Sequence, residues 1–416
     1  MEFPRQAAGA EILNGIYNVK KSLFLSIWFV FLLLIWEGSC YLSLWWLEHF
    51  RHLTYSPMQE GRLSRPSRES IGKLLDGLTS YTIYDPDLGW AIKSNGTAGQ
   101  YRANADGLRG DREYSASLDP RTIRIATYGD SFAHGDEVSN EHTWQVQLEQ
   151  YDSRFEVLNF GVGGYGPDRS YLRYRKLGKS YKPVLILIGF TSENIFRTMS
   201  VFRPFYAPQT RLPLSKPRFT LSQDSLVLLN NPLPSLTEYR DLLNDSERKL
   251  RQLGAHDWFY QHRYRASLLD VLPSIRLIKI LSYKFQEDHQ FLYHPESEAF
   301  KLSLAILTKF YQDALADSST PIILLFPVKG DVQRAGRGVP VSYSPLRDAL
   351  DKRSLKVIDL AKSFQCWRLK QHTEQNIETL FETEGHYSEA GNHLIAGYLH
   401  SVLINYFNGT WRDECN

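Results

Sequence analysis

Ser131 stands in "RIATYGDSFAHGDE" (residues 124–137), where an alternating apolar run stops at Gly-Asp-Ser-Phe. A serine hydroxyl is a weak nucleophile until a base removes its proton and a third group holds that base. The candidate base is His386, in "FETEGHYSEAGNHLIAGYLHSVLINYF", with Glu384 two residues upstream. One short loop can therefore carry both an imidazole and a carboxylate to orient it. The chemistry this trio would perform is acyl transfer, in which serine attacks an ester carbonyl and histidine shuttles the proton.

Those residues need elements to position them. From Thr122 onward strands alternate with helices. "TIRIATYG" reads as a buried strand, "TWQVQLEQY" as the start of a helix, "FEVLNFG" as a strand and "SYLRYRKLGKSY" as a helix. "PVLILIGF" (residues 183–190) is apolar throughout, as expected of a central parallel strand covered on both faces, and "TPIILLFPV" and "LKVIDLA" supply two more. This order implies an α/β parallel sheet with right-handed crossovers. In such sheets ligands bind beyond the carboxyl ends of the strands, which is where Ser131 falls. Gly129 permits the tight turn, and Asp130 can bond to nearby amides. Ser388 can cap a last helix whose apolar positions include Leu394, Ile395, Leu399, Val402 and Leu403, so His386 belongs to the loop leading into it.

The flanking segments differ in character. "SLFLSIWFVFLLLIW" (residues 22–36) carries no charge, and after Glu37 the run resumes to Leu47. We read residues 1–21 as a cytoplasmic amino terminus and 22–44 as a transmembrane helix, with Trp45 and Trp46 at the far interface. Arg5, Lys20 and Lys21 before the span place the amino terminus in the cytoplasm, and so the rest of the chain on the extracytoplasmic side of the cell membrane. Residues 45–80 are a polar juxtamembrane connector. Residues 81–118 hold Asp-Pro, Asn-Gly and Asp-Gly turn pairs between short aromatic stretches, a small β-rich preface. The main domain covers 119–408, with an insertion at 197–300 over the carboxyl edge of the sheet and a hairpin expected in "PRFTLSQDSLVLLNN"; 409–416 is a tail.

Composition narrows the function classes. The 416 residues are 43% hydrophobic and 13% aromatic, which fits a globular protein, and a formal charge of +2 does not advertise a nucleic-acid partner. Three cysteines, Cys40, Cys366 and Cys415, make no disulfide framework; Cys366 and Cys415 can pair in an oxidising compartment, and isolated structural thiols are the blander reading. No metal-ligand spacing is present and no cofactor is expected.

Taken with "NFGVGGYG" (159–166), "GFTSENIFR" (189–197) and "EGHYSEAGN" (384–392), the "GDSF" at 129–132 resembles the SGNH, or GDSL-type, hydrolase family, its four blocks in the family's order. The resemblance covers residues 120–405 and is to the membrane-anchored bacterial type. It implies a flavodoxin-like three-layer α/β domain, Ser131 as nucleophile and His386 as general base. It also implies an oxyanion hole from the amides of Ser131 and Gly164 and the side chain of Asn194. Two blocks depart from the family pattern. Gly-x-Asn-Asp is replaced by Ser192-Glu193-Asn194-Ile195, so Asn194 serves only with a one-residue shift. The aspartate expected two or three places before the histidine is replaced by Glu384 and Thr383; Glu384 is taken as the acidic partner, with Glu382 second. His134 is expected to face the groove without catalysis. The implied activity is ester hydrolysis, of an O-acyl group on a carbohydrate or cell-surface glycan; the alternatives are an O-acyltransferase acting on an extracellular polysaccharide and a silent glycan-binding protein. A neutral imidazole is required, so activity should fall below roughly pH 6 to 6.5.

Overall fold

The computed structural model describes residues 5–53, 63–370 and 377–411, apart from positions 116, 118, 209, 224, 287 and 288, with side chains from residue 17 onward except at 286 and 370. Its chain falls into two compact units, one of residues Met1–Gly61 with His262–Gln286, the other of Arg62–Gln261 with Glu287–Asn416. Residues 262–286, read from sequence as part of the insertion, thus cluster with the amino-terminal helix.

In the larger unit, two short antiparallel pairs come first: β1 (Thr82–Asp85) with β2 (Gly89–Ile92), and β3 (Thr97–Ala98) with β4 (Tyr101–Arg102). The turn between β1 and β2 closes on Asp85, whose Oδ1 accepts from the N–H groups of Asp87 and Leu88 at 2.9 Å each. Five parallel strands follow: β5 (Ile123–Tyr128), β6 (Phe155–Asn159), β7 (Leu185–Thr191), then, after an antiparallel hairpin of β8 (Arg218–Ser222) and β9 (Ser225–Leu229), β10 (Thr320–Phe326) and β11 (Val357–Asp359). Their order in the sheet is β11-β10-β7-β5-β6, every neighbouring pair parallel. This is the doubly wound order in which the direction of strand addition reverses between β5 and β7, and a crevice opens there at the carboxyl ends.

All seven residues of β7 are buried, which is why its sequence is apolar instead of alternating. Helices cover both faces. One core joins Ile125, Leu187 and Leu324 of the sheet to Trp144 and Leu148 of the helix Trp144–Tyr151 and to Leu399 and Leu403 of the last helix, Glu389–Phe407. Ser388 caps that helix, accepting from the Gly391 N–H at 3.2 Å, and Asn392 Oδ1 accepts from the Trp144 N–H at 3.1 Å. The segment that follows Ser131 is thereby tied to the helix that follows His386.

In the smaller unit, the helix Arg5–Arg51 contains a stretch, Tyr17–Arg51, that is long and apolar enough to cross a membrane. Cys40 in this helix is a free thiol, whereas Cys366 is disulfide-bonded.

Candidate active site

Ser131 opens a single helical turn, Ser131–His134, at the carboxyl end of β5. Asp130 caps that turn, accepting from the Phe132 N–H at 3.0 Å. Its other oxygen, Oδ2, accepts from Thr191 Oγ1 at 2.9 Å, Asn194 Nδ2 at 2.7 Å and Arg197 Nη1 at 2.9 Å. A carboxylate this deeply buried has to be paired and fully hydrogen-bonded to remain charged, and here it locks the ends of β5 and β7 to each other. The loop after β6 then passes so close to the serine turn that a Cβ at Gly161 would stand 2.3 Å from the His134 amide nitrogen.

Ser131 and His386 line one cavity of about 650 Å³, together with Gly163 and Gly164. The imidazole lies against Phe132, ring centres 5.1 Å apart. Its Nδ1 is 2.8 Å from Oε2 of Glu137, six residues beyond the serine, and not bonded to the neighbouring glutamate expected from sequence. Glu384 contributes its backbone: its N–H donates to Glu137 Oε1 at 2.8 Å, while the His386 N–H donates to Oε2 at 3.0 Å. Glu382 closes the same turn through its own N–H, which donates to the His386 carbonyl at 2.8 Å. Glu137 therefore holds both the ring and the loop that carries it, and neither Glu384 nor Glu382 is the imidazole's carboxylate partner.

Glu137 adopts φ 70°, the left-handed region that glycine tolerates and a β-carbon resists. Non-glycine residues held there cluster at functional sites, at a cost of order 1–3 kcal/mol. Its N–H donates to Tyr101 Oη at 2.8 Å, fixing the backbone from the preface side. Burial alone would raise the carboxyl pKa, but the N–H groups of Glu384 and His386 and the imidazole together hold it below the usual glutamate range. A carboxylate facing Nδ1 selects the tautomer with its proton there and leaves Nε2 free to accept one.

The sign of that shift gives a testable pH dependence. A depressed carboxyl pKa means the tether is complete above about pH 4.3, the unfolded value, and is lost only as pH falls through the lower folded one. Glu137 should therefore add no protonation step of its own to the acid limb of kcat/KM above pH 5; a limb falling there with the square of proton concentration would contradict it.

Gly164 is held from three sides. Trp90 Nε1, on β2, donates to the Gly163 carbonyl at 3.1 Å, and Arg169 Nη2 donates to the Gly164 carbonyl. Arg169 itself packs into the corner of two aromatic rings, its guanidinium 3.7 Å from the Trp90 ring centre and 4.4 Å from that of Tyr165. Burial pushes its pKa down to about 10, which still leaves it charged at neutral pH. Gly164 has φ 77°, and a Cβ there would stand 2.3 Å from Arg203 Nη1 and 3.3 Å from the Trp90 ring. A trans peptide points its N–H opposite to its C=O, so anchoring the Gly163 carbonyl on Trp90 turns the Gly164 N–H away from the indole. Trp90→Phe keeps the ring but removes the donor. We expect kcat to fall about tenfold with KM nearly unchanged, a fraction of the 10²–10³ that loss of a whole oxyanion donor costs. Steady-state kinetics check this split.

Asn194 does not reach the cavity. Both hydrogens of its amide are committed, one to Asp130 at 2.7 Å and one to Thr191 Oγ1 at 2.7 Å, and its neighbours Glu193 and Arg197 line the cavity in its place. The sequence-based expectation of a third oxyanion donor from Asn194 is thus corrected: the residue braces Asp130. His134 does line the cavity, but both ring nitrogens are engaged, Nδ1 by Asp136 at 2.5 Å and Nε2 by Tyr81 Oη at 2.6 Å. Burial holds its pKa below the usual value despite Asp136, so it is a neutral strut between preface and serine turn.

The fold and site together define a class: a doubly wound α/β protein with a serine at the topological switch point and a histidine–glutamate pair beside it. No family model matches the chain, and no curated protein matches it. Among solved structures it is similar to a lipolytic protein of the G-D-S-L family from Veillonella parvula DSM 2008, at 13% identity over 68% of this chain and 98% of that one, TM-score 0.34. It is also similar to an acetyl xylan esterase, at 12% identity over 67% and 98%, TM-score 0.35. A catalytic mutant of an acetylxylan esterase from Geobacillus stearothermophilus matches at 12% identity over 66% and 91%, TM-score 0.33.

Proposed function

We propose that the chain is a serine esterase of the SGNH type, using Ser131, His386 and Glu137, that removes an O-acyl group from a carbohydrate. The observation that carries this reading is the Glu137–His386 contact at 2.8 Å, made by a ring that shares a cavity wall with Ser131. In the proposed reaction Ser131 Oγ attacks the ester carbonyl carbon as its proton passes to His386 Nε2. The carbonyl oxygen, now negative, is held by the N–H groups of Ser131 and Gly164. Collapse expels the sugar oxygen, which takes the proton from His386, and water repeats the sequence on the acyl-enzyme.

The cavity's lining supports a polar substrate. Tyr101 offers ring surface for a sugar, and Glu193, Arg203 and Arg211 offer charged partners. We further propose that the helix Tyr17–Arg51 anchors the chain in the cell membrane with the catalytic body outside the cytoplasm. The disulfide at Cys366 supports that placement, since such bonds persist in oxidising compartments. Incubating the full chain with an O-acetylated polysaccharide tests the function. Release of free acetate, absent in Ser131→Ala, is the expected result; acetate appearing only on an added glycan acceptor would establish the transferase alternative, and no turnover of any ester would refute both.

A further inference from the structure

Residues 262–286 expose a run of large apolar side chains that a water-soluble insertion would cover. Leu268 is 96% exposed, Val271 72% and Phe285 67%, and Leu269, Ile278 and Leu281 are more than half exposed. Such a patch on a soluble body marks an interaction site. Within the smaller unit, the helix Pro273–Gln286 packs along the amino-terminal helix. Contact is made at Glu37, the one acidic residue inside the apolar stretch 22–47. Its Oε2 accepts from the Ser274 N–H at 2.9 Å and its Oε1 from Ser274 Oγ at 2.5 Å. A carboxylate within a span is costly unless partnered, and a helix amino terminus supplies free N–H groups and a favourable dipole.

We propose that residues 266–286 form a re-entrant segment, dipping into the outer leaflet of the bilayer beside the spanning helix, with lipid covering its exposed apolar side chains. The proposal rests on reading Tyr17–Arg51 as a membrane span. Depth follows from geometry: Glu37 lies about two helical turns below Trp45, roughly 12 Å at 1.5 Å per residue, so Ser274 sits well inside the hydrocarbon if Trp45 and Trp46 mark the interface. Both ends of the segment connect to the body that follows the spanning helix, so the chain must return to the side it came from.

Around the turn 267–272 the polar groups pair within the segment, as lipid demands. Asp270 Oδ2 accepts from the Ser267 N–H at 2.8 Å, and its Oδ1 pairs with Lys279 at 2.6 Å. Arg276 Nε donates to the Asp270 carbonyl. The turn's own N–H groups close on it as well, Asp270 to the Ser267 carbonyl and Leu272 to that of Leu269, at 3.0 Å each. What remains facing outward at Leu268, Leu269 and Val271 is hydrocarbon.

The test uses the full chain in phosphatidylcholine–phosphatidylglycerol vesicles. Nitroxide labels are placed singly at Leu268→Cys, Val271→Cys and Ile278→Cys in a Cys40→Ser background, with Phe29→Cys reporting on the span and Leu78→Cys on the aqueous body. The Cys40→Ser chain without an added cysteine serves as blank. The inference expects the ratio of oxygen to nickel-chelate accessibility at 268, 271 and 278 to match that at Phe29 and to exceed that at Leu78 several-fold. Oxygen-dominated accessibility at Phe29 with nickel-dominated accessibility at 268 and 271 would overturn the re-entrant segment and leave the anchor intact. Nickel-dominated accessibility at Phe29 would overturn the span and the segment together. Low accessibility to both reagents with spin–spin broadening would show a second copy of the chain covering the patch, and would also overturn the proposal.

Discussion

Alanine at Ser131 is expected to lower kcat on an activated ester by about 10⁶-fold, with His386→Ala falling as far and the double variant no further. In the proposed reaction the two side chains act as one device, since a nucleophile without its base and a base without its nucleophile are equally idle. Residual turnover over water would come from the Ser131 and Gly164 amides, which neither substitution removes. Folding should be unaffected by Ser131→Ala, because the cap from Asp130 to the Phe132 N–H and the bonds from Asp130 to Thr191, Asn194 and Arg197 all survive. Steady-state kinetics with thermal melts of each variant check both halves; additive losses in the double variant would separate the two residues into independent roles.

Glu137→Gln is expected to lower kcat by about 10³ to 10⁴, as the loss of a triad carboxylate does where geometry is kept but the tautomer is wrong. Glu384→Gln and Glu382→Gln should leave turnover within a few-fold, because only their backbones take part. Stability separates the functions of Glu137 further. Its carboxylate accepts two backbone N–H bonds from the histidine loop, each of the charge-assisted kind worth about 1.5–3 kcal/mol. Glu137→Gly loses those bonds but relaxes the backbone at φ 70°, so it should recover part of the melting temperature lost in Glu137→Ala, by about 1 kcal/mol, while remaining as inactive. An equal loss of Tm in both would show that the left-handed backbone carries no strain.

The strands were legible because each is a short apolar run ended by a breaker, and β7 needed no alternation once both of its faces were covered. The places of Ser131 and His386 in the fold were legible for a related reason: one follows a strand into a glycine turn, the other precedes a serine-capped helix. Glu137 was hidden because its position depends on a left-handed backbone that glycine would have announced and glutamate conceals. The available cue was the acidic pair Asp136 and Glu137 on the loop behind Ser131. Asn194 misled because spacing cannot distinguish a side chain facing the cavity from one turned back to Asp130; that choice belongs to the buried hydrogen bonds of Thr191 and Arg197. The segment 262–286 alternates apolar and basic residues as a soluble amphipathic helix would, and only its exposed leucines together with the Glu37 contact place it with the amino-terminal helix.

The most direct measurement is the rate at which a fluorophosphonate forms a covalent adduct, read by mass on the peptide containing Ser131. A serine activated by a glutamate-held histidine should give a single adduct on that peptide, formed at least about 10²-fold more slowly in Glu137→Gln and not at all in Ser131→Ala. No adduct in the parent chain, or one that forms equally fast without the Glu137 carboxylate, would contradict the account.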